Sequence, residues 1–267
     1  MLKSKSDLDS LSAGSSGIWL SMEALDSPDR IAELRRTIST KPALKEFYEG
    51  IYGRYAASIA ACPARGLTVE LGSGGGFANQ VIPNLITTDI LPYEGVDRVI
   101  DATHMDFDDS SIRFFGMVNV FHHIPDVERF LREAARCLVP GGRLLIIDQH
   151  PGWIGKPIFR CFHHEPFRPD AATWHFDSTG PLSGANGALA WIVFVRDLKR
   201  FEREFADLRL LKYQPFAPLN YWLAGGLKSW SLLPTGASLR LAGVLDRTLI
   251  GISKDFGSFV AVEIIRT

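Results

Sequence analysis

The sequence predicts an α/β fold built on a mainly parallel sheet with both faces covered. Short apolar, β-branched runs alternate with helical patterns or brief crossovers through the middle of the chain, which is the rhythm of βαβ units. A glycine-rich turn follows the first of these runs. Two more strand-like runs, separated by an excursion, come at the end and suit an antiparallel pair on one edge.

The elements follow in order. MLKSKSDLDSLSAGSSG is polar and serine-rich with no apolar segment, so it reads as a flexible tail and not as a secretory signal. In SPDRIAELRRTI, Ser27 is the expected N-cap and Pro28 takes the first helical position. In KPALKEFYEGIYGRYAASIA, Leu44, Phe47, Ile51, Tyr55 and Ile59 recur at three- and four-residue spacing, an amphipathic stripe. LTVEL is the first strand, ended by Gly72. FANQVIPN forms only a short helix, because Pro83 stops it. LITTDI carries the second strand to Asp89, and DRVIDA the third to Asp101. FFGMVNVF is the fourth, followed by HHIPD. DVERFLREAARCL is a helix beginning at Asp126 and closed by VPGG, and RLLIID is the fifth strand. From Gln149 to about Arg196 the rhythm lapses into a segment rich in Trp, His and Pro. Its aromatic content argues against disorder and for a functional insertion. DLKRFEREFADL resumes as a helix, RLLKYQPF as a strand, and SFVAVEIIRT as the closing strand.

Composition narrows the function classes. With 267 residues, 46% hydrophobic and 22% charged, the chain can bury a sizeable core. The 29 basic residues balance 30 acidic ones, so the basic footprint of a nucleic-acid binder is missing. The three cysteines, Cys62, Cys137 and Cys161, form no CxxC pair and no metal spacing; Cys137 reads as a buried structural thiol, and a reducing, cytoplasmic compartment is expected. The longest apolar run, ALAWIVFV, is far short of the roughly 20 residues that span a bilayer.

The turn TVELGSGGGFAN holds four glycines within five residues. Such a turn lets a ligand approach the backbone, and it leads into a helix N-terminus. A P-loop needs Lys-Ser or Lys-Thr after the glycines, and neither follows. A dinucleotide fingerprint places a third glycine where this chain has Phe77. The pattern present is GxGxG, at Gly72, Gly74 and Gly76, with Glu70 two residues before it. A pyrophosphate has no use for that anion, whereas a ligand with a cationic end does.

VELGSGGG resembles motif I of class I S-adenosylmethionine-dependent methyltransferases. Asp89, ending the second strand, stands where the family carries an acidic residue, and IDATHMDF resembles its third-strand loop. FFGMVNVFHHIPD and EAARCLVPGGRLLIID are similar to the fourth-strand and helix–PGG–strand segments of type-11-like members. The resemblance implies a Rossmann-like seven-stranded, mostly parallel sheet with an antiparallel last strand and helices on both faces. It implies S-adenosylmethionine as cofactor. Glu70 would orient the glycine loop and the ammonium end, with Gly72 and Phe121 adding backbone bonds. Asp89 would accept from the ribose hydroxyls, Asp101 from the adenine amino group, and Ala102 would offer its N–H to the ring. As domains the chain then divides into a tail and helical cover (1–66), a cofactor-binding core (67–149), an acceptor-side insertion (150–196), and a C-terminal helix, excursion and edge strands (197–267).

The acceptor is expected to be a small molecule or lipid-linked, methylated without nucleic-acid involvement; a fold relative that binds without turnover is the alternative. A base is needed only if the acceptor must lose a proton. His122 and His123, after the fourth strand, are the catalytic candidates; their other reading is a loop fixed by hydrogen bonds. His150 has a weaker claim. CFHHEPF, with His163, His164 and Glu165, makes a poor metal site and reads as an acceptor-side lid or a surface loop. Trp174, His175 and Trp191 either line a pocket or pack. YWLAGGLKSWSLLP reads as buried helices, a cover over an apolar acceptor, or a peripheral membrane contact.

Overall fold

A computed structural model describes residues 28–163, 165–178, 180, 184–234 and 236–267; Ser27, the tail before it and His164 lie outside them. The described strands are β1 (Leu67–Leu71), β2 (Leu85–Asp89), β3 (Arg98–Val99), β4 (Ile112–Val118), β5 (Leu138–Gln149), β6 (Leu208–Phe216) and β7 (Phe259–Arg266). They form one sheet in the order β3-β2-β1-β4-β5-β7-β6. β1 to β5 pair in parallel. β7, the last strand, runs antiparallel between β5 and β6. The expected fold class is the observed one.

Alternation along the strands feeds two cores. Leu144 and Ile146 of β5 join one cluster with Phe115, Met117 and Val262. Leu145 and Ile147, pointing the other way, join a second with Phe114 and Ala261. This is the period-two geometry of a sheet covered on both faces.

The second cluster is closed by α1 (Pro28–Thr40) and α2 (Pro42–Ala60). The α2 stripe is wider than its spacing suggested: Tyr48 and Tyr52 are buried beside Leu44, Ile51 and Tyr55. Tyr55 reaches the sheet because Gly116 stands opposite, where a Cβ would lie 2.5 Å from the ring. α3 (Ala78–Val81) is a single turn, as Pro83 demanded. α4 (Val127–Cys137) packs on the other face, and Asp126 caps it by accepting from Arg129 N at 2.9 Å.

Some boundaries differ from the sequence expectation. β3 is only two residues long, because the chain turns at Asp101, which accepts from Thr103 N at 2.7 Å. VPGG does not close α4 with a loop; it is already inside β5, with Gly141 at φ +80. The insertion holds α5 (Gly155–Cys161) and α6 (Leu189–Trp191), which continues as a π-helical turn over Ile192–Arg196. The ALAWIVFV run is therefore mostly core. Trp174 packs rather than lining a pocket: it is fully buried and its indole N–H donates to Asp197. Trp191 packs against the same core, while His175 is exposed and bridges to Asp126 through the backbone. α7 (Leu198–Glu204) leads to β6, and the late excursion contains α8 (Asn220–Leu223) and α9 (Gly236–Ile252). Lys41, between α1 and α2, donates to the carbonyls of Gly226 and Lys228 and ties this excursion to the N-terminal cover. No helix of the described residues is long and apolar enough to cross a membrane.

Candidate functional site

The carboxyl ends of β1, β2, β4 and β5 open into one cavity of about 600 Å³, roofed by Ile31 and Leu34 of α1 and by Tyr48 and Tyr52 of α2. Its position is the one the sheet topology favours for ligands.

One wall is the glycine loop. Gly72 (φ +68) and Gly74 (φ +49) are left-handed, a conformation glycine adopts without penalty. A Cβ on Gly72 would sit 2.3 Å from Val120 Cγ2, so the loop also needs the bare backbone to lie against the end of β4. A Cβ on Gly76 would meet the Tyr52 hydroxyl at 2.8 Å. Phe77 packs edge-on against Tyr52 and its N–H donates to the Tyr52 oxygen. The bulky residue that displaced the third dinucleotide glycine thus anchors the loop to α2.

Glu70 is buried at the base of this wall, with Oε2 unpaired among the described residues. Burial pushes its carboxyl up to about 7, against the pull of the nearby Ser73 and Tyr55 hydroxyls, while the Asp89 charge adds to the rise. Those hydroxyls approach without closing a hydrogen bond of full geometry, since neither has a partner of its own. Asn119, directly after β4, lines the same cavity at φ +55 and also leaves a buried, unpaired Oδ1. Two orphaned acceptors, Glu70 on β1 and Asn119 after β4, lining the cavity with the glycine loop fit a cationic donor such as an ammonium group. The residues present therefore fit the methionine end of S-adenosylmethionine.

Asp89 lies on the cavity wall and organises the loop. It accepts from Gly74 N at 3.1 Å, from Leu91 N at 3.2 Å, and from the Tyr93 hydroxyl. Asp101 and Ala102 also line the cavity, with Asp101 Oδ1 engaged by the Thr103 N–H and hydroxyl. Phe121 does not line it. Its ring sits in the core against Phe130 and Phe194, and its carbonyl accepts from Ile124 N. Asn119 and Val120 line the cavity at this point instead, because β4 ends earlier than the apolar run suggests.

At the far end the cavity meets His122 and His123, held in a 3-10 turn over Phe121–His123. His122 is buried between two carboxylates: Nδ1 lies 2.6 Å from Asp148 Oδ1 and Nε2 lies 3.1 Å from Glu165 Oε2. Burial opposes its charge, but Asp148 and Glu165 outweigh burial and raise it to about 10. Both nitrogens of the protonated ring then donate, so His122 is not a free base there. Glu165, although buried, is held well below the usual carboxylate range by the two histidines. His123 Nδ1–H donates to the Gly184 carbonyl at 3.0 Å, and Nε2 lies 3.3 Å from Glu165 Oε1. His150 is elsewhere: burial lowers it to about 4 and its Nδ1 pairs with the Tyr213 hydroxyl, outside the cavity.

Sequence reasoning missed Asn119, Tyr52, Tyr93, Asp148 and Gln149 as wall or support residues. It placed Glu165 in a lid or a surface loop, whereas the chain returns it to His122 across 43 positions. Asp148, the last residue of RLLIID, was the one with a legible signal, since it ends a strand on the ligand edge.

Residues 69–146 match the family described as a methyltransferase domain. No curated protein matches. Among solved structures the chain is similar to an S-adenosylmethionine dependent methyltransferase from Mesorhizobium loti (18% identity, 79% of this chain and 97% of that one, TM-score 0.43). It is similar to geranyl diphosphate C-methyltransferase from Streptomyces coelicolor A3(2) (14%, 84% and 81%, TM-score 0.43). A third is phosphoethanolamine N-methyltransferase 2 from Haemonchus contortus (10%, 90% and 57%, TM-score 0.46). At these identities and TM-scores the likenesses carry nothing about the acceptor.

Proposed function

We propose that this chain is an S-adenosylmethionine-dependent methyltransferase, a reading supported by the methyltransferase domain matched over residues 69–146. The bound donor supplies an electrophilic methyl group on a sulfonium whose sulfur leaves readily. Glu70 and Asn119 receive its ammonium, the loop Gly72–Gly76 takes the methionine end, Asp89 takes the ribose, and Asp101 with Ala102 flank the adenine. The observation that carries this reading is the buried, unpaired Glu70 oxygen beside a left-handed glycine loop in the cavity at the carboxyl edge of the sheet.

The acceptor is a small molecule with an apolar body and an oxygen nucleophile. Phe159, Tyr221, Trp222 and Phe259 offer an aromatic wall, and His123, Gln149 and Glu165 offer a polar end. Holding nucleophile and methyl in line contributes most of the rate; measured effective molarities correspond to about 7–11 kcal/mol. Incubating the protein with isotope-labelled donor and metabolite extracts, then reading products by mass spectrometry, tests this. A labelled, oxygen-methylated small molecule is expected. Donor binding with no labelled product from any extract would favour the binding-only alternative.

Asp89→Ala is expected to weaken donor binding by about 1.5–3 kcal/mol, the scale of a charged hydrogen bond. Calorimetry reads it, and an unchanged dissociation constant would refute the ribose assignment.

The second reading, a lipid-linked acceptor, rests on one further observation. Trp230, Leu232, Leu241 and Ile252 are exposed along the excursion that also sends Tyr221, Trp222 and Leu227 into the cavity. Flotation with liposomes is expected to carry the protein upward; complete retention in the aqueous fraction counts against it.

A further inference from the structure

We propose that His122 Nε2, His123 Nε2 and a Glu165 carboxylate oxygen bind one divalent cation of the zinc class at the acceptor end of the cavity. Among the described residues this is the only set of three or more His, Cys, Asp or Glu whose ligand atoms all lie within 4.8 Å of one another. Both histidine nitrogens face the same carboxylate, at 3.1 and 3.3 Å. Tetrahedral bonds of about 2.0–2.2 Å place neighbouring ligand atoms roughly 3.3–3.6 Å apart. The two histidine–carboxylate contacts, one to each Glu165 oxygen, are near that length, and all three ligand atoms lie within 4.8 Å of one another.

The support around it is of the kind that metal-ligating side chains have. Asp148 Oδ1 takes the Nδ1–H of His122 at 2.6 Å, which leaves Nε2 to present a lone pair. Asp148 is itself fixed by the N–H groups of His122 and Gln149. The Gly184 carbonyl does the same for His123 at 3.0 Å. The Gln149 amide steadies Glu165 by donating to Oε2 at 3.2 Å. Without an ion, a proton on His122 Nε2 occupies the cation's place and ties the ring to Glu165. Two imidazoles and one carboxylate suit zinc, cobalt or iron better than magnesium or calcium, which prefer all-oxygen sets.

All three ligands line the cavity, so the remaining coordination position opens towards the acceptor. Three protein ligands and one open position are the arrangement of a catalytic, not a structural, zinc. The use of that position rests on the methyl-transfer reading; the metal binding does not. There a bound acceptor hydroxyl loses its proton to water and its oxygen takes the methyl group. The sulfur–methyl bond breaks, and its electron pair stays on sulfur.

The test uses the full chain, stripped with chelator and titrated with Zn²⁺ by calorimetry and with Co²⁺ by visible absorption. One zinc per chain and cobalt ligand-field bands are expected. Both should vanish in Glu165→Gln and in His123→Ala, and Asp148→Asn should bind zinc about 10–100-fold more weakly. Binding of S-adenosylhomocysteine at the other end of the cavity serves as the folding control for each variant. If wild type binds no zinc, or Glu165→Gln binds it as wild type does, the trio is only an ion-paired latch and the proposal fails. Donor binding, read separately, keeps that failure distinct from failure of the methyl-transfer reading.

Discussion

Replacing Glu70 with Gln is expected to stabilise the ligand-free protein at pH 8 while weakening donor binding 10- to 100-fold, about 1.5–3 kcal/mol. The two effects have one cause. Glu70 is fully buried and its carboxyl rises from the ordinary 4.5 to about 7 because burial disfavours the charge. A carboxyl raised in the folded state contributes stability that is complete below its unfolded value. That contribution is lost as pH climbs from 4.5 through about 7. At pH 8 the loss is on the order of 3 kcal/mol. Gln carries no charge, so in urea unfolding the stability of Glu70→Gln relative to wild type should rise between pH 5 and 8, while His122 and His150 contribute alike to both proteins. Donor binding runs oppositely. Only the carboxylate accepts an ammonium with charge assistance, so wild-type affinity should rise from pH 6 to 8 and the variant's should not. A variant that loses stability at pH 8 and keeps its affinity would remove Glu70 from the site.

Gly72→Ala is expected to cost about 2–5 kcal/mol of stability, combining a left-handed alanine with an overpacked contact. The residue sits at φ +68, and its new Cβ would fall 2.3 Å from Val120 Cγ2. Adding Val120→Ala should recover the contact part and leave the backbone part, so the double variant falls between wild type and Gly72→Ala. Urea unfolding of all four proteins closes the cycle. Full recovery would mean that the left-handed turn is not needed; no recovery would mean that Val120 is not the obstacle.

The sheet was legible because its signals are local. Glycine and proline punctuate it, β-branched runs build it, and Asp126 announces α4. The glycine-loop wall of the cavity was legible for the same reason, since Glu70, Gly72, Gly74 and Asp89 all fall within one strand–turn–strand unit. The far end of the cavity was not. Glu165 reaches His122 only after α5 and a turn, and no periodicity encodes that return. Asn119 was hidden inside FFGMVNVF because one apolar run covers both the end of β4 and the turn beyond it. The aromatic insertion gave composition without direction: Trp174 went to the core, while Phe159 and Glu165 went to the cavity.

The central claim is that this cavity seats S-adenosylmethionine through Glu70 and Asp89. Parallel calorimetric titrations of S-adenosylmethionine and NAD into wild type and Asp89→Ala test it most directly. The account predicts one-site binding of S-adenosylmethionine by wild type, weaker binding by the variant, and none of NAD. Tight NAD binding without S-adenosylmethionine binding would contradict it.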